Sequence, residues 1–390
     1  MHTANIKESS RAARTRSLVA IIASTVGVGL TYGINVPLVA LILESRGETS
    51  FTVGMVTAMG TLAVMVCGPI YPRLIARLGP MRSCVCGILI AMVALLLLPA
   101  LPSLPAWYVL KFIIGFGMGW SWITSETWIN AVSSEESRGT AVGLYTTLLT
   151  VGFVSGPLIL RFTGAEGWLP FLVGAAALVA ALAPLPFARG AQPQRPEAPP
   201  AGLVGLMRNA PVLMLAGLVA GIGDTTAFAM LPLYGMRSGF EESTAVTMLA
   251  VFIAGNLFLQ LPIGWLADRI DRKGMLILCA VVGMAGPAVL HLTVPHPYAM
   301  WALLFFWGGT MFGFYTIGLT MLGEQFDAKH LAGANSAFVM LYCAGGVAGP
   351  IAAGVGMDLW DPHGLMLAMG IASALLLVPM VLQRYVGRLR

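Results

Sequence analysis

Charged residues are scarce in this chain. Only 10% of its 390 residues are Asp, Glu, Lys or Arg, whereas 57% are hydrophobic, and the mean hydropathy is +0.84. Soluble domains carry about 25% charged residues, because a surface that faces water needs them. The composition therefore excludes a soluble domain and predicts an all-α membrane protein. The net charge of +5 does not indicate a nucleic-acid partner, since the basic residues are dispersed and form no basic face.

Paired cysteines and nucleotide-binding motifs are also missing. The five cysteines, Cys67, Cys84, Cys86, Cys279 and Cys343, form no CxxC pair, so neither a zinc site nor a disulfide framework is predicted. The chain has no P-loop, which argues against ATP-driven pumping, and no HExxH motif. We therefore expect no cofactor, no metal and no catalytic residue.

Long apolar runs are abundant instead. A helix that crosses a membrane needs about 20 apolar residues, and twelve runs approach or exceed that length. They cover approximately residues 17–43, 51–72, 83–101, 105–128, 139–160, 168–188, 209–235, 244–266, 275–294, 299–322, 332–357 and 364–386. The first run is too long for a signal peptide and is interpreted as a retained transmembrane helix.

A polar, proline-rich segment separates the first six runs from the last six. Five prolines between Pro193 and Pro211 prevent a regular helix through much of it. The predicted organisation is a six-helix bundle at residues 1–188, a cytoplasmic linker at 189–208 and a second six-helix bundle at 209–390.

The distribution of lysine and arginine tests this topology. With the N-terminus in the cytoplasm, 18 of the 22 basic residues fall in cytoplasmic segments, while Arg46, Arg161 and Arg237 fall in outer loops and Lys111 lies within a span. Cytoplasmic loops of membrane proteins carry such an excess. We therefore expect a multi-pass protein of the inner membrane with both termini in the cytoplasm.

The two halves of the chain resemble each other. Gly152-x-x-x-Gly156-Pro157 in span five recurs as Gly345-x-x-x-Gly349-Pro350 in span eleven, and Pro37-Leu38 in span one recurs as Pro232-Leu233 in span seven. Transporters are often built from such repeats, with the substrate held near the middle of the membrane between them.

The loop between spans eight and nine, GWLADRIDRKG, resembles the signature loop of the major facilitator superfamily, G-x-x-x-D-R-x-G-R-R. Gly264, Asp268, Arg269, Arg272 and Lys273 match, while Asp271 replaces a glycine. The corresponding first-half loop keeps Arg77 and Gly79, but Ala76 replaces its aspartate. The detailed pattern is similar to the YcaD-like branch. The resemblance covers the whole chain and implies the major facilitator fold, with two pseudo-symmetric bundles of six transmembrane helices.

The signature loop has a physical interpretation as a gate. A carboxylate at Asp268 can pair with nearby arginines or with a helix N-terminus, and such contacts would hold the inner gate shut. The matching residues Arg77, Gly264, Asp268, Arg269, Arg272 and Lys273 form the predicted gating loop. The alternative is a loop that merely follows the distribution of basic residues expected on the cytoplasmic side.

Four charged residues are candidates for proton coupling or substrate binding. Asp224 lies near the middle of span seven, where a charge costs at least about 2.5–3.5 kcal/mol, so it should face an interior cavity. Lys111 either extends to the interface or faces that cavity. Glu126 and Glu324 end spans four and ten, as interfacial carboxylates or as proton relays. A hydrogen-bonded structural aspartate is the alternative for Asp224.

Polar side chains within the spans are candidates for lining a cavity, with helix–helix hydrogen bonding as the alternative. These residues are Tyr32, Asn35, Tyr145, Asn256, Gln260, Tyr315, Asn335 and Tyr342.

The sequence thus predicts a monomeric secondary transporter for a small solute and protons in a lipid bilayer. The glycine–proline pairs of spans five and eleven resemble, incompletely, an antiporter motif and favour proton-coupled export of an amphipathic molecule. Proton-coupled uptake, a membrane-embedded enzyme and a scramblase are the alternatives.

Overall fold

The computed structural model of the protein describes residues 2–133, 138–190, 210–269, 271–326 and 328–386. Its described residues form helices joined by short turns, and no strand occurs among them. The predicted all-α character is therefore confirmed. The predicted linker at 189–208 lies almost entirely outside the described residues, and the predicted domain boundaries stay a prediction.

Twelve long helices follow one another in the predicted order. They are α1 (His2–Ser45), α2 (Ser50–Cys67), α3 (Pro80–Ala100), α4 (Leu104–Val132), α5 (Arg138–Thr163), α6 (Leu169–Leu182), α7 (Pro211–Arg237), α8 (Glu242–Arg269), α9 (Arg272–Thr293), α10 (Pro297–Gln325), α11 (Ala328–Leu359) and α12 (Gly364–Val386). Within the described residues, eleven segments are long and apolar enough to cross a membrane. The exception is α4, whose Lys111 and four tryptophans lower its hydropathy.

Prolines mark both the starts and the interiors of these helices. Five helices (α3, α4, α6, α7 and α10) carry proline in their first turn, where the missing N–H would have no partner in any case. Interior prolines such as Pro157 and Pro350 are tolerated because neighbouring helices in a membrane protein satisfy the freed carbonyls.

The end of α2 is more irregular than its apolar run predicts. A short 3₁₀ turn at Gly68–Ile70 leads into a separate helix at Tyr71–Leu78. Gly79 then adopts φ +79°, a conformation that suits glycine, and turns the chain into α3. The glycine of the first-half signature loop therefore serves as the turn itself.

The described residues form two compact units. The first lies within 1–35 and 63–198, and the second lies within 36–62 and 199–390. The second unit thus includes the C-terminal part of α1 and most of α2. Within it we use "loop end" for the end where the turn between α8 and α9 lies, and "far end" for the opposite end, where α1 and α7 finish.

Candidate functional site

Asp224 lies in the most buried span among the described residues. In α7, 78% of an apolar stretch of 18 residues is buried, because α8, α10, α11 and α12 all pack against this helix. Asp224 itself is only 6% exposed. The structure therefore places a carboxyl group in the interior of the second unit, away from its lipid-facing surface.

A tyrosine of α11 holds this carboxyl group. The Tyr342 hydroxyl donates a hydrogen bond of 3.0 Å to Oδ2 of Asp224. The Tyr342 ring contacts Tyr315 of α10 at 5.3 Å between centroids, and Tyr315 in turn contacts Phe338 at 5.4 Å. The structure thus brings together three residues that were predicted separately from the sequence.

The second carboxylate oxygen of Asp224 is left without a partner. Oδ1 is buried and accepts no hydrogen bond, and no cationic side chain of the described residues lies within 4 Å of the carboxyl group. A buried, unsatisfied carboxylate oxygen is costly. An oxygen of this kind is a position where a proton or a donor group of a substrate can bind.

Glycines of α11 allow this arrangement. A methyl group added at Gly349 would lie 2.6 Å from the Thr226 hydroxyl oxygen and 2.8 Å from the backbone of Ile222. The first unit repeats the contact, because a methyl group at Gly156 of α5, the counterpart of Gly349, would lie 2.6 Å from the Ile34 backbone nitrogen of α1. The glycine repeat found in the sequence is therefore a repeat in packing.

Other polar residues of the second unit lie on neighbouring helices. The Gln260 amide donates to the Thr316 hydroxyl at 2.8 Å, which joins α8 to α10. Asn256 is 6% exposed, and its carbonyl oxygen and that of Asn335 have no hydrogen-bond partner. Their assignment as cavity-lining residues stays a prediction.

In the first unit, Lys111 is 3% exposed, and no carboxylate of the described residues lies within 4 Å of it. Such burial does not fit a lysine that extends to the interface. Glu126 is exposed and accepts a 2.7 Å hydrogen bond from the Trp122 indole. The assignment of Lys111 and Glu126 to proton coupling or substrate binding stays a prediction.

Three further candidates lie in the same unit. The Tyr32 ring contacts Phe153 at 5.3 Å between centroids, whereas Asn35 and Tyr145 are each 2% exposed. The Asn35 side-chain oxygen has no hydrogen-bond partner. Tyr32 and Asn35 therefore lie on the same helix but in different surroundings.

An ion-pair network occupies the loop end of the second unit. Arg272 pairs with Asp268 at 2.6 Å and also with Glu324 at the end of α10. The Arg269 guanidinium lies 4.1 Å from the centre of the Trp265 ring. Asp268, Arg272 and Glu324, which the sequence suggested for two different roles, thus form one cluster.

The departure of this loop from the signature pattern has a structural explanation. Asp271 is the N-cap of α9, and its carboxylate accepts from the backbone N–H groups of Lys273 and Gly274 at 3.1 Å each. Side-chain oxygens at this position satisfy N–H groups that the helix leaves unpaired. At Gly264, nothing lies within 4 Å of an added methyl group, and Arg77 of the first-half loop is exposed.

A second network at the far end was missed by the sequence analysis. Arg237, at the end of α7, forms two hydrogen bonds with Glu44 of α1, at 2.7 and 2.8 Å, and a third with Asp361 at 2.9 Å. Asp358 of α11 caps the start of α2 by accepting from the N–H groups of Ser50 and Phe51. Arg237 was counted only as an outer basic residue, because partners 124 and 193 positions away leave no local signal.

Comparison with known proteins agrees with this architecture. The family model described as Major Facilitator Superfamily matches residues 21–259 and 213–388. The MFS-type transporter YfkF of Bacillus subtilis is 25% identical over 347 residues, which cover 86% of this chain and 88% of the relative. The MFS-type transporter YcaD of Salmonella typhi is 24% identical over 378 residues, with 96% and 97% covered.

Solved structures share the fold. The nucleoside transporter NupG superposes with a TM-score of 0.76 at 15% identity, covering 94% of this chain and 98% of that one. A bacterial homologue of the human lysosomal transporter Spinster, inward-facing and unoccupied, gives a TM-score of 0.71 at 14% identity, with 94% and 95% covered. The predicted twelve-helix fold is confirmed, and this chain belongs to the major facilitator superfamily of transporters.

Proposed function

We propose that the protein is a secondary active transporter that works by alternating access and couples solute movement to protons through Asp224. The observation that carries this proposal is the surroundings of its carboxyl group. It lies buried in α7, it has one hydrogen-bond donor and one unsatisfied oxygen, and it has no cationic partner within 4 Å among the described residues.

Charge explains why such a residue suits proton coupling. A carboxylate without a counter-ion is expensive in a membrane interior, and binding a proton removes that charge. A step that moves the helix while Asp224 is charged is then disfavoured, whereas the same step with a bound proton is allowed. This difference between charged and protonated Asp224 couples the movement of the solute to that of the proton.

The direction that we propose is export of an amphipathic small molecule. The incomplete antiporter-type glycine–proline pairs of α5 and α11 support this direction. An interior of the second unit rich in Met, Phe and Trp suits an amphipathic solute. We further propose that the protein lies in the inner membrane with both termini in the cytoplasm. The excess of lysine and arginine in the predicted cytoplasmic segments supports this orientation, in which the loop end also faces the cytoplasm.

Proteoliposomes with a pH-sensitive dye inside test the coupling. A panel of amphipathic solutes is added, and solute-driven proton movement is compared between the wild type and Asp224→Asn. We expect the variant to abolish proton movement with any solute that drives it in the wild type. Asp271→Asn is the matched control, because asparagine is as good an N-cap as aspartate and its amide oxygen still accepts from one of the two backbone N–H groups.

Three other results would count against parts of the proposal. Equal proton movement in Asp224→Asn would show that Asp224 is structural, and Glu126 and Glu324 would become the candidates. Solute flux without proton movement would indicate a uniporter, an exchanger or a scramblase. Accumulation of the solute on the side toward which the protons flow would indicate uptake instead of export.

A further inference from the structure

The second unit contains a cavity away from Asp224. It has a volume of about 510 Å³ and lies between α9 and α12, which pack against each other. Most of its wall is apolar and is formed by Met284, Pro287, Ala288, Met366, Leu367, Gly370, Ile371 and Ala374. This volume lies in the range of about 300–1,000 Å³ that is usual for small-molecule sites.

The cavity opens on an apolar surface. Leu367 is 52% exposed and Ile371 is 53% exposed, and both belong to its lining. Along the same helices, Leu292 and Val378 are also more than half exposed. In a membrane-spanning protein such a face contacts lipid chains, so the molecule that fills this cavity comes from the bilayer.

One end of the cavity is polar. The rings of His291 and His363 lie 5.9 Å apart between centroids, and the Trp360 ring lies 5.5 Å from His363. All three residues line the cavity at its far end. Neither imidazole makes a side-chain hydrogen bond to another described residue, so each ring has an N–H available to a ligand of the cavity.

The charge next to this polar end selects among headgroups. Asp361 lies two positions before His363, and its side chain is 58% exposed although it pairs with Arg237. Arg237 also pairs with Glu44, so these three residues together carry one net negative charge. A headgroup with an ammonium group is attracted here, whereas one with only a negative charge is repelled.

We propose that this cavity is a binding site for one resident zwitterionic phospholipid. One acyl chain fills the apolar part between α9 and α12. The phosphate accepts hydrogen bonds from the imidazoles of His291 and His363 and from the Trp360 indole, and the ammonium group lies toward Asp361. This lipid is distinct from the transported solute and does not depend on proton coupling.

Native mass spectrometry of the delipidated full chain, titrated with phosphatidylethanolamine, tests the site. Gly370→Leu places a side chain in the cavity; nothing lies within 4 Å of an added Cβ at this position, and leucine favours a helix more than glycine does. We expect at least tenfold weaker binding of the first lipid. Gly143→Leu is the matched control, since nothing lies within 4 Å there either, and should bind as the wild type does.

The polar end is tested separately. The double variant His291→Phe/His363→Phe keeps both rings but removes their donors, and it should also weaken binding at least tenfold, whereas His296→Phe outside the cavity should not. Two results would overturn the proposal: wild-type affinity in Gly370→Leu, or phosphatidylglycerol binding to the wild type as tightly as phosphatidylethanolamine. Since no transported solute is present, either result leaves the transport proposal untouched.

Discussion

At the scale of the residue, the hydroxyl of Tyr342 donates to a carboxyl group that lies 118 positions earlier in the chain. Replacing it by Tyr342→Phe removes the donor and leaves both Asp224 oxygens unsatisfied. A hydrogen bond to a charged group contributes about 1.5–3 kcal/mol. We therefore expect the initial rate of solute-driven proton movement in proteoliposomes to fall at least about tenfold.

The control for this variant is Tyr298→Phe, which removes the same hydroxyl from a side chain that is 93% exposed. Its rate should match that of the wild type. If Tyr342→Phe also transported at the wild-type rate, the hydrogen bond would have no part in coupling, and Asp224 would have to act without it.

Residue patterns found polar residues but not their contacts. Asp224 is visible in the sequence because a charge interrupts an apolar run, and Tyr342 as a polar side chain within a span, but nothing in the sequence pairs the two. Arg237 is visible only as a basic residue near the end of a span, while Glu44 and Asp361 carry no motif at all. Contacts between helices depend on how the helices pack, which hydropathy does not encode.

At the scale of the element, close approach of helices depends on glycines at matching places in the two units. A methyl group at Gly156 of α5 would lie 2.6 Å from the backbone nitrogen of Ile34, and one at Gly349 of α11 would lie 2.8 Å from Ile222 backbone atoms. Since backbone atoms cannot give way as a side chain can, α1 and α7 would have to shift.

Gly156→Ala and Gly349→Ala should therefore each destabilise the protein, by about 1–3 kcal/mol, the usual cost of overpacking. This loss is expected although alanine favours helices more than glycine does. Thermal unfolding in detergent measures it, with Gly143→Ala as the control, where nothing lies within 4 Å. A higher melting temperature in all three variants would show that helix propensity outweighs packing here.

Apolar runs predicted the elements well and their ends less well. All twelve runs became helices because each is long enough to satisfy its own backbone inside a membrane. The irregular part is the stretch after α2, where Gly68 and Pro69 interrupt the helix and Tyr71–Leu78 forms a separate one. Hydropathy does not mark this break, since Gly68–Ile70 lies inside the apolar run at 51–72.

At the scale of the whole molecule, the proposed alternating access, with the predicted bundles at 1–188 and 209–390 as its moving parts, implies that the far-end contacts separate in one of its states. The second unit holds Glu44 of α1 against Arg237 of α7, and both side chains are only 18% exposed. Glu44→Gln removes the charge and leaves Arg237 with Asp361 alone. We expect this change to shift the conformational equilibrium by about 1–3 kcal/mol toward a state that is open at the far end.

Thiol labelling measures the shift. Thr57 of α2 is 3% exposed and lies one turn after Gly54, where an added methyl group would meet the backbone of Pro350. In a variant without native cysteines, Thr57→Cys should react with a membrane-impermeant maleimide about 5–150-fold faster when Glu44→Gln is present. Glu48→Gln is the control, since it removes the same charge four positions later, in the turn after α1. An equal increase in the labelling rate with Glu48→Gln would rule out a specific role for the ion pair.

The low hydropathy of α4 has a consequence for how the protein is made. Spans leave the ribosome one after another, and a span that carries a buried lysine is expected to enter lipid less readily than its neighbours. Its predecessor α3 packs closely against it, since a methyl group at Gly87 would lie 2.6 Å from the Gly117 carbonyl oxygen. We therefore expect α4 to insert together with α3, so that the two helices enter the bilayer as a hairpin.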